Sequence, residues 1–201
     1  MKAYLTRIDT PFVKRLATML ADKGYEILSE DDRSSEAIEL FIAAENERLS
    51  GDDFDVRSNC GNFDYEVIMD SFHKNLFSPV LQLERLLPNL DKGKMKRICF
   101  LSSYTASMNL SESTKGFGYN MCKAALHTAL TIFKNKLCND GYTFRLYDPM
   151  ETAGCLRVTT ENAAYGALNY FLTRRAQEYT PSRDDEDRLV LRDALGREWP
   201  Y

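Results

Sequence analysis

Tyr119 and Lys123 stand four positions apart at the start of a helical pattern, Tyr119-Asn120-Met121-Cys122-Lys123-Ala124-Ala125-Leu126. That spacing projects both side chains from one helix face, one turn apart, back toward whatever precedes the helix. What precedes it is an apolar run, Ile98-Cys99-Phe100-Leu101, that ends in Ser102-Ser103. In an open parallel sheet the ligand crevice lies beyond the carboxyl ends of the strands, so a serine, a tyrosine and a lysine converge there. The chemistry such a set suits is acid–base work by a phenol. Alone, with a pKa near 10, a phenol does that poorly at neutral pH; an ammonium beside it favours phenolate and lowers the value.

The elements that must position these residues belong to a chain of 201 residues, 44% hydrophobic and 28% charged, an ordinary balance for one globular domain spanning 1–201. A chain of this size typically buries roughly 70% of the surface its unfolded form exposes, so its core needs no disulfide or structural metal. Twenty-six Lys and Arg against thirty Asp and Glu leave a net charge of −4, which argues against a nucleic-acid partner and against a polybasic membrane surface. No apolar run approaches the ~18 residues of a membrane span and the opening stretch is too short for a signal peptide, which places the chain in the cytoplasm. Cys60, Cys99, Cys122, Cys138 and Cys155 are odd in number and scattered, with no C-x-x-C pair, and read as reduced, mostly buried thiols. His73 and His127 lack a ligand or triad constellation and read as helix-surface or satisfied core residues, so no metal site is expected.

Lys2 to Leu5 is a short apolar strand, followed by a helix whose start is marked by Thr10 as N-cap and Pro11 in the first turn. Gly24 ends that helix before a second strand, Tyr25 to Leu28, and Ile38 to Ala43 makes a third. Glu45 to Phe63 is a long polar loop. Apolar spacing then predicts a helix from Tyr65 to Leu90, bent at Pro79, a strand at Ile98 to Leu101 and a polar loop from Ser107 to Gly118. After the helix Tyr119 to Leu137 come strand Tyr142 to Tyr147, helix Glu161 to Leu172, a charged turn at Arg183 to Asp187 and strand Leu189 to Leu191. Strands alternating with helices imply a doubly wound parallel α/β sheet of six strands with helices on both faces. The aromatic tail around Trp199 is expected to pack on its own domain or on a subunit neighbour.

The order strand-Ser-Ser, loop, Tyr-x-x-x-Lys, helix, strand, Pro resembles that of the short-chain dehydrogenase/reductase family. The match runs through Ile98 to Ser103, Tyr119 to Leu126 and Arg145-Leu146-Tyr147-Asp148-Pro149, and Met69 to Pro79 looks like the family's helix that supplies an active-site asparagine. The resemblance implies a Rossmann-like fold with the family's outer third strand missing and strand order 2-1-4-5-6-7. It also implies a tyrosine that exchanges the substrate proton while a nicotinamide, NAD or NADP, transfers hydride. Its roles fall on Tyr119 at the centre, Lys123 on the phenol and the nicotinamide ribose, Ser103 on the reacting oxygen and Asn75 in a proton relay. Thr6 and Arg7 stand in the cofactor loop, Ala43 opens the turn after the third strand, and Pro149 follows the fifth, all as cofactor contacts. Family members commonly associate through the two long helices, so a homo-oligomer, dimer or tetramer, or an assembly with an intact relative, is expected.

The chain also departs from the family. In place of T-G-x-x-x-G-x-G it reads Thr6-Arg7-Ile8-Asp9-Thr10-Pro11-Phe12-Val13, so Cβ atoms intrude where a pyrophosphate approaches the backbone, Pro11 offers no N–H, and Asp9 repels phosphate. In place of N-N-A-G it reads Ala43-Ala44-Glu45-Asn46. Glu30 or Asp31 would favour NAD over NADP if a cofactor bound; otherwise they belong to a solvated turn. Two functions follow. One is a carbonyl/alcohol oxidoreductase with altered cofactor binding. The other is a catalytically inactive relative that binds no cofactor and serves as a binding or assembly module. A smaller ligand at Arg7 and the helix N-terminus is a third option.

Overall fold

Thr10 starts the first helix as predicted. The computed structural model describes residues 1–29, 36–52, 64–150, 158–173 and 188–200. The Thr10 side chain accepts from the Val13 N–H at 3.2 Å, and Pro11 occupies a position where an N–H would have no helical partner, which opens α1 (Pro11–Asp22). Gly24, at φ +84°, turns the chain out of the helix.

The sheet runs β2-β1-β3-β4-β5-β6-β7, built from β1 (Lys2–Leu5), β2 (Glu26–Leu28), β3 (Leu40–Ala43), β4 (Arg97–Leu101), β5 (Thr143–Asp148), β6 (Leu191–Asp193) and β7 (Glu198–Trp199). The first six are mutually parallel, in the order the resemblance implied, and β2 is the edge, with no outer strand beyond it among the described residues. Two corrections concern the far edge. β6 lies two residues later than expected, and a seventh strand, β7, pairs antiparallel with it. Two residues are too few to show alternation; what folds them back is Asp193, whose buried carboxylate takes the Trp199 indole N–H at 2.9 Å and the Arg197 Nε at 2.6 Å.

Alternation along the strands splits the core in two. Ala3, Leu5, Leu40, Ile42, Cys99 and Leu101 face α1 and α5 (Thr160–Leu172), while Tyr4, Phe41, Ile98, Phe100 and Phe144 face the helices of the other side. Each Leu, Ile or Phe among them contributes roughly 1.5–3 kcal/mol by leaving water. The second layer holds α4 (Phe117–Leu137) and the long helix, which is α2 (Tyr65–Phe72), a π-helical turn (His73–Phe77) and α3 (Ser78–Leu90). The break falls at Asn75 and not at Pro79 as expected. Asn75 Nδ2 takes the Ser71 carbonyl at 3.1 Å, and Pro79 has no N–H to return to the Asn75 carbonyl, so the regular ladder is lost from both directions.

No helix among the described residues is long and apolar enough to cross a membrane, and none of their His, Cys, Asp and Glu residues cluster as a metal site. Cys99 and Cys122 are buried as expected, but Cys138, in the turn after α4, is exposed. Cys60, Cys155, the Glu30–Asp31 pair and the Arg183–Asp187 turn lie outside the described residues.

Candidate active site

The first turn of α4 carries backbone N–H groups that no residue of the helix can satisfy. Asp52, far away in the chain, supplies the acceptors: its carboxylate takes the Gly118 and Tyr119 N–H groups, each at 2.8 Å, and its carbonyl takes Phe117 N–H at 3.1 Å. A buried carboxylate on a helix N-terminus is a favourable charge–dipole arrangement, and it fixes where Tyr119 begins.

From there the helix pitch sets Lys123 one turn beyond Tyr119, its Nζ 5.7 Å from the centre of the ring. Tyr119, Lys123, Ser103 and Asn75 are all within 2% of full burial. The Tyr119 hydroxyl donates to Asn46 Oδ1 at 2.5 Å, and the Arg48 guanidinium lies over its ring at 4.6 Å. Lys123 Nζ donates to the carbonyls of Glu45 at 2.7 Å and Leu101 at 3.0 Å. Asn75 Oδ1 accepts the Glu47 N–H at 2.9 Å and its Nδ2 donates to the Glu47 carbonyl at 3.0 Å. One segment, 45–52, therefore touches Tyr119, Lys123 and Asn75. The Ser103 hydroxyl hydrogen-bonds to Tyr119 and lies 2.9 Å from Thr105 Oγ1, which in turn donates to Asn120 Oδ1 at 2.7 Å.

Burial dominates the electrostatics. It raises the Tyr119 phenol above its ordinary value, and the Asp148 carboxylate pushes the same way, while Arg48 and Ser103 oppose them. The net direction is thus opposite to the lowering expected from Lys123, which is itself pushed down to about 8, chiefly by burial. Asp148 and Glu45 are both raised by burial, although Asp148 accepts the N–H groups of Tyr104 and Met150, each at 2.7 Å.

His127 is a satisfied core histidine, its Nε2 2.6 Å from Ser102 Oγ, and burial followed by the Lys123 charge pushes it down to about 3. Between that value and about 6.5 the unfolded chain binds a proton that the fold refuses, so stability drops by about 1.4 kcal/mol for each unit by which pH is lowered. Wild type is expected to lose about 2 kcal/mol more than His127→Leu between pH 6.5 and 4.5, read by urea unfolding. Equal losses would mean that the ring is protonated in place.

The expected cofactor contacts sit at the neighbouring strand ends. Thr6 Oγ1 donates to Glu45 Oε2 at 2.8 Å and accepts Ala44 N–H at 2.9 Å; Ala43 and Pro149 are buried. Arg7 is held by Asp9, with Nε 2.7 Å from Oδ1, and by Glu47 at 3.4 Å. A pyrophosphate at the α1 N-terminus would meet Asp9 and Glu47, a proline without an N–H, and a Val13 N–H already given to Thr10. A nicotinamide beside Tyr119 would meet the Asn46 side chain. The residues present do not fit a dinucleotide. Reasoning from the sequence named the tetrad but missed Arg48 and Asp52. Asn46 was visible only as the loss of a turn glycine.

No protein-family profile matches the chain. It is 27% identical to C-signal of Myxococcus xanthus over 89 residues, 44% of this chain and 54% of that one. It is 29% identical to an uncharacterized oxidoreductase of Saccharomyces cerevisiae over 105 residues, 52% of this chain and 38% of that one. The similarity thus spans about half the length of the first relative and less of the second. Solved structures match it end to end. Sniffer of Caenorhabditis elegans superposes with TM-score 0.76 at 14% identity, covering 100% of this chain and 99% of that one. A carbonyl reductase from Pseudomonas aeruginosa PAO1 in complex with NADP gives 0.73 at 15%, covering 100% of both. An NADPH-bound carbonyl reductase from chicken fatty liver gives 0.63 at 14%, covering 100% of this chain and 87% of that one.

Proposed function

We propose that this chain, whose fold is that of the short-chain dehydrogenases/reductases, carries out no hydride transfer and serves as a binding or assembly module. One observation supports this above the others: the 45–52 segment lies on the tetrad, with Asn46 holding the Tyr119 hydroxyl and the Glu45 carbonyl holding Lys123. A general acid or base has to reach the proton it exchanges, and here Tyr119 is turned to the Asn46 side chain, Lys123 to backbone carbonyls, and both are buried. The partner we assign is a second copy of the chain or an intact relative, met through the long helices, where Tyr65, Met121 and Ile132 stay exposed.

The alternative, an oxidoreductase acting on a carbonyl or alcohol with NAD or NADP, is favoured by a different observation. Ser103 hydrogen-bonds to Tyr119 and Lys123 Nζ lies 5.7 Å from the centre of its ring, while Asn75 is buried on the neighbouring helix. Fluorescence titration of NADH and NADPH, with Lys123→Ala as control, separates the two. The module reading expects no saturable binding up to millimolar cofactor. Saturable micromolar binding that Lys123→Ala loses would overturn it, require Asn46 to move, and justify a screen of carbonyl substrates.

A further inference from the structure

The Tyr119 hydroxyl donates to the side-chain oxygen of Asn46 at 2.5 Å. That oxygen belongs to a carboxamide, so the phenol already donates to a carbonyl, and the carbonyl is the chain's own. The groups that aim the phenol do not depend on this carboxamide. Asp52 fixes the start of α4 through the Gly118 and Tyr119 N–H groups, each at 2.8 Å, and Ser103, which hydrogen-bonds to the same phenol, is placed by Thr105 Oγ1 at 2.9 Å. The backbone on either side of Asn46 is likewise held without its side chain. Lys123 takes the Glu45 carbonyl at 2.7 Å, and Asn75 takes both the N–H and the carbonyl of Glu47, at 2.9 and 3.0 Å. Removing the carboxamide therefore leaves both the segment and the hydroxyl where they are.

Asn46 also borders an open space. A cavity of about 210 Å³ lies at the carboxyl ends of β1, β3 and β4, lined by Arg7, Thr10, Ala44, Asn46, Glu47 and Leu101. Small-molecule sites typically span roughly 300–1,000 Å³, so this one suits a group of a few heavy atoms. Its charges are already matched, because Arg7 is held through two nitrogens by Asp9 and lies 3.4 Å from Glu47. An ion entering it would give up water without gaining a free counter-charge, which favours an uncharged occupant.

We propose that Asn46 is a tethered ligand: its carboxamide oxygen fills the position at which Tyr119, with Ser103 beside it, would hold the oxygen of a small uncharged amide or ketone entering from this cavity. The inference rests on the reading that the 45–52 segment closes the tetrad, and it narrows that closure to one side chain. The carbonyl site behind Asn46 is complete.

The test is thermal unfolding of Asn46→Ala with added formamide, which replaces the lost carboxamide, and of Asn46→Gly with acetamide or acetone, which replace the whole side chain. Both variants should melt below wild type, because a buried phenol loses its acceptor. Probe at about tenfold its half-saturating concentration, bound to the folded state alone, should raise Tm by about 3–5 °C in a chain of this size. Wild type, whose position is filled, should show no such rise, and neither should Asn46→Gly combined with Tyr119→Phe, which removes the hydroxyl. The proposal is overturned if neither single variant gains more than wild type, whether it starts folded or unfolded. An equal gain in the Tyr119→Phe combination also overturns it, because the probe would then sit elsewhere. The probes contain no nicotinamide, so failure here leaves the cofactor titration of wild type untouched, and failure of the binding-module reading shows only in that titration.

Discussion

Gly118→Ala is expected to destabilise the protein by about 3 kcal/mol or more, a larger effect than most single methyl additions produce. A Cβ built at Gly118 stands 2.3 Å from Asp52 Oδ1 and 3.1 Å from Ile68 Cγ1. Ile68 belongs to the packed interior and cannot retreat, so the carboxylate must. Moving it breaks the 2.8 Å contacts to Gly118 and Tyr119 N–H, so the helix end loses two acceptors and a buried carboxylate loses two donors. Overpacking typically costs about 1–3 kcal/mol, and each hydrogen bond to a charged group about 1.5–3. Asp52→Asn, which keeps the size and one acceptor, should cost less, about 1–2 kcal/mol. Urea unfolding measures both. If Gly118→Ala stays within 0.5 kcal/mol of wild type, the Asp52 clamp is not what holds the start of α4.

That clamp also shows where reading the sequence stops. The continuous apolar run Ile98 to Leu101 and the helical spacing after Tyr119 are local signals, and both elements stand where those signals put them. Strand order followed from the resemblance and holds. Tyr119 and Lys123 stand one turn apart on a helix face, as their spacing puts them, whereas Ser103 and Asn75 were singled out through the resemblance. The partners of those residues were not legible. Asp52 meets Tyr119 from 67 positions away and Asn46 from 73, and no periodicity encodes a contact made by a loop. The phenol's direction was misjudged for the same reason. Spacing places an ammonium one turn away but does not reveal that both groups are enclosed, and enclosure raises a phenol and lowers an amine whatever their separation. The π-helical turn depended on which carbonyl Asn75 captures, and β7 on which donors Asp193 collects.

Lys123→Met is expected to change the pH dependence of stability more than any other single substitution at the site. Lys123 Nζ is fully buried, its acceptors are two backbone carbonyls, and burial holds it down to about 8 against the ordinary lysine value of 10.5. Below pH 8 folded and unfolded chains both carry the proton, and the fold bears the whole penalty of enclosing a charge. Between about 8 and 10.5 the unfolded chain keeps a proton that the folded chain has released, so stability rises with pH. From pH 8 to 10 the gain is about 2 kcal/mol, present in wild type and absent from Lys123→Met. Tyr119 works in the opposite sense above pH 10, because its raised phenol lets the unfolded chain ionise first, but the variant retains Tyr119 and the difference cancels it. At every pH the variant also leaves the Glu45 and Leu101 carbonyls without their donor, a constant loss of about 1–3 kcal/mol for each. The slope of the difference therefore reports the amine alone. A flat difference across pH 8 to 10 would mean that Nζ keeps its proton in the fold, stabilised by water or a carboxylate. The site would then be open enough for Lys123 to act on a phenol, and the oxidoreductase reading would gain what the buried geometry takes from it.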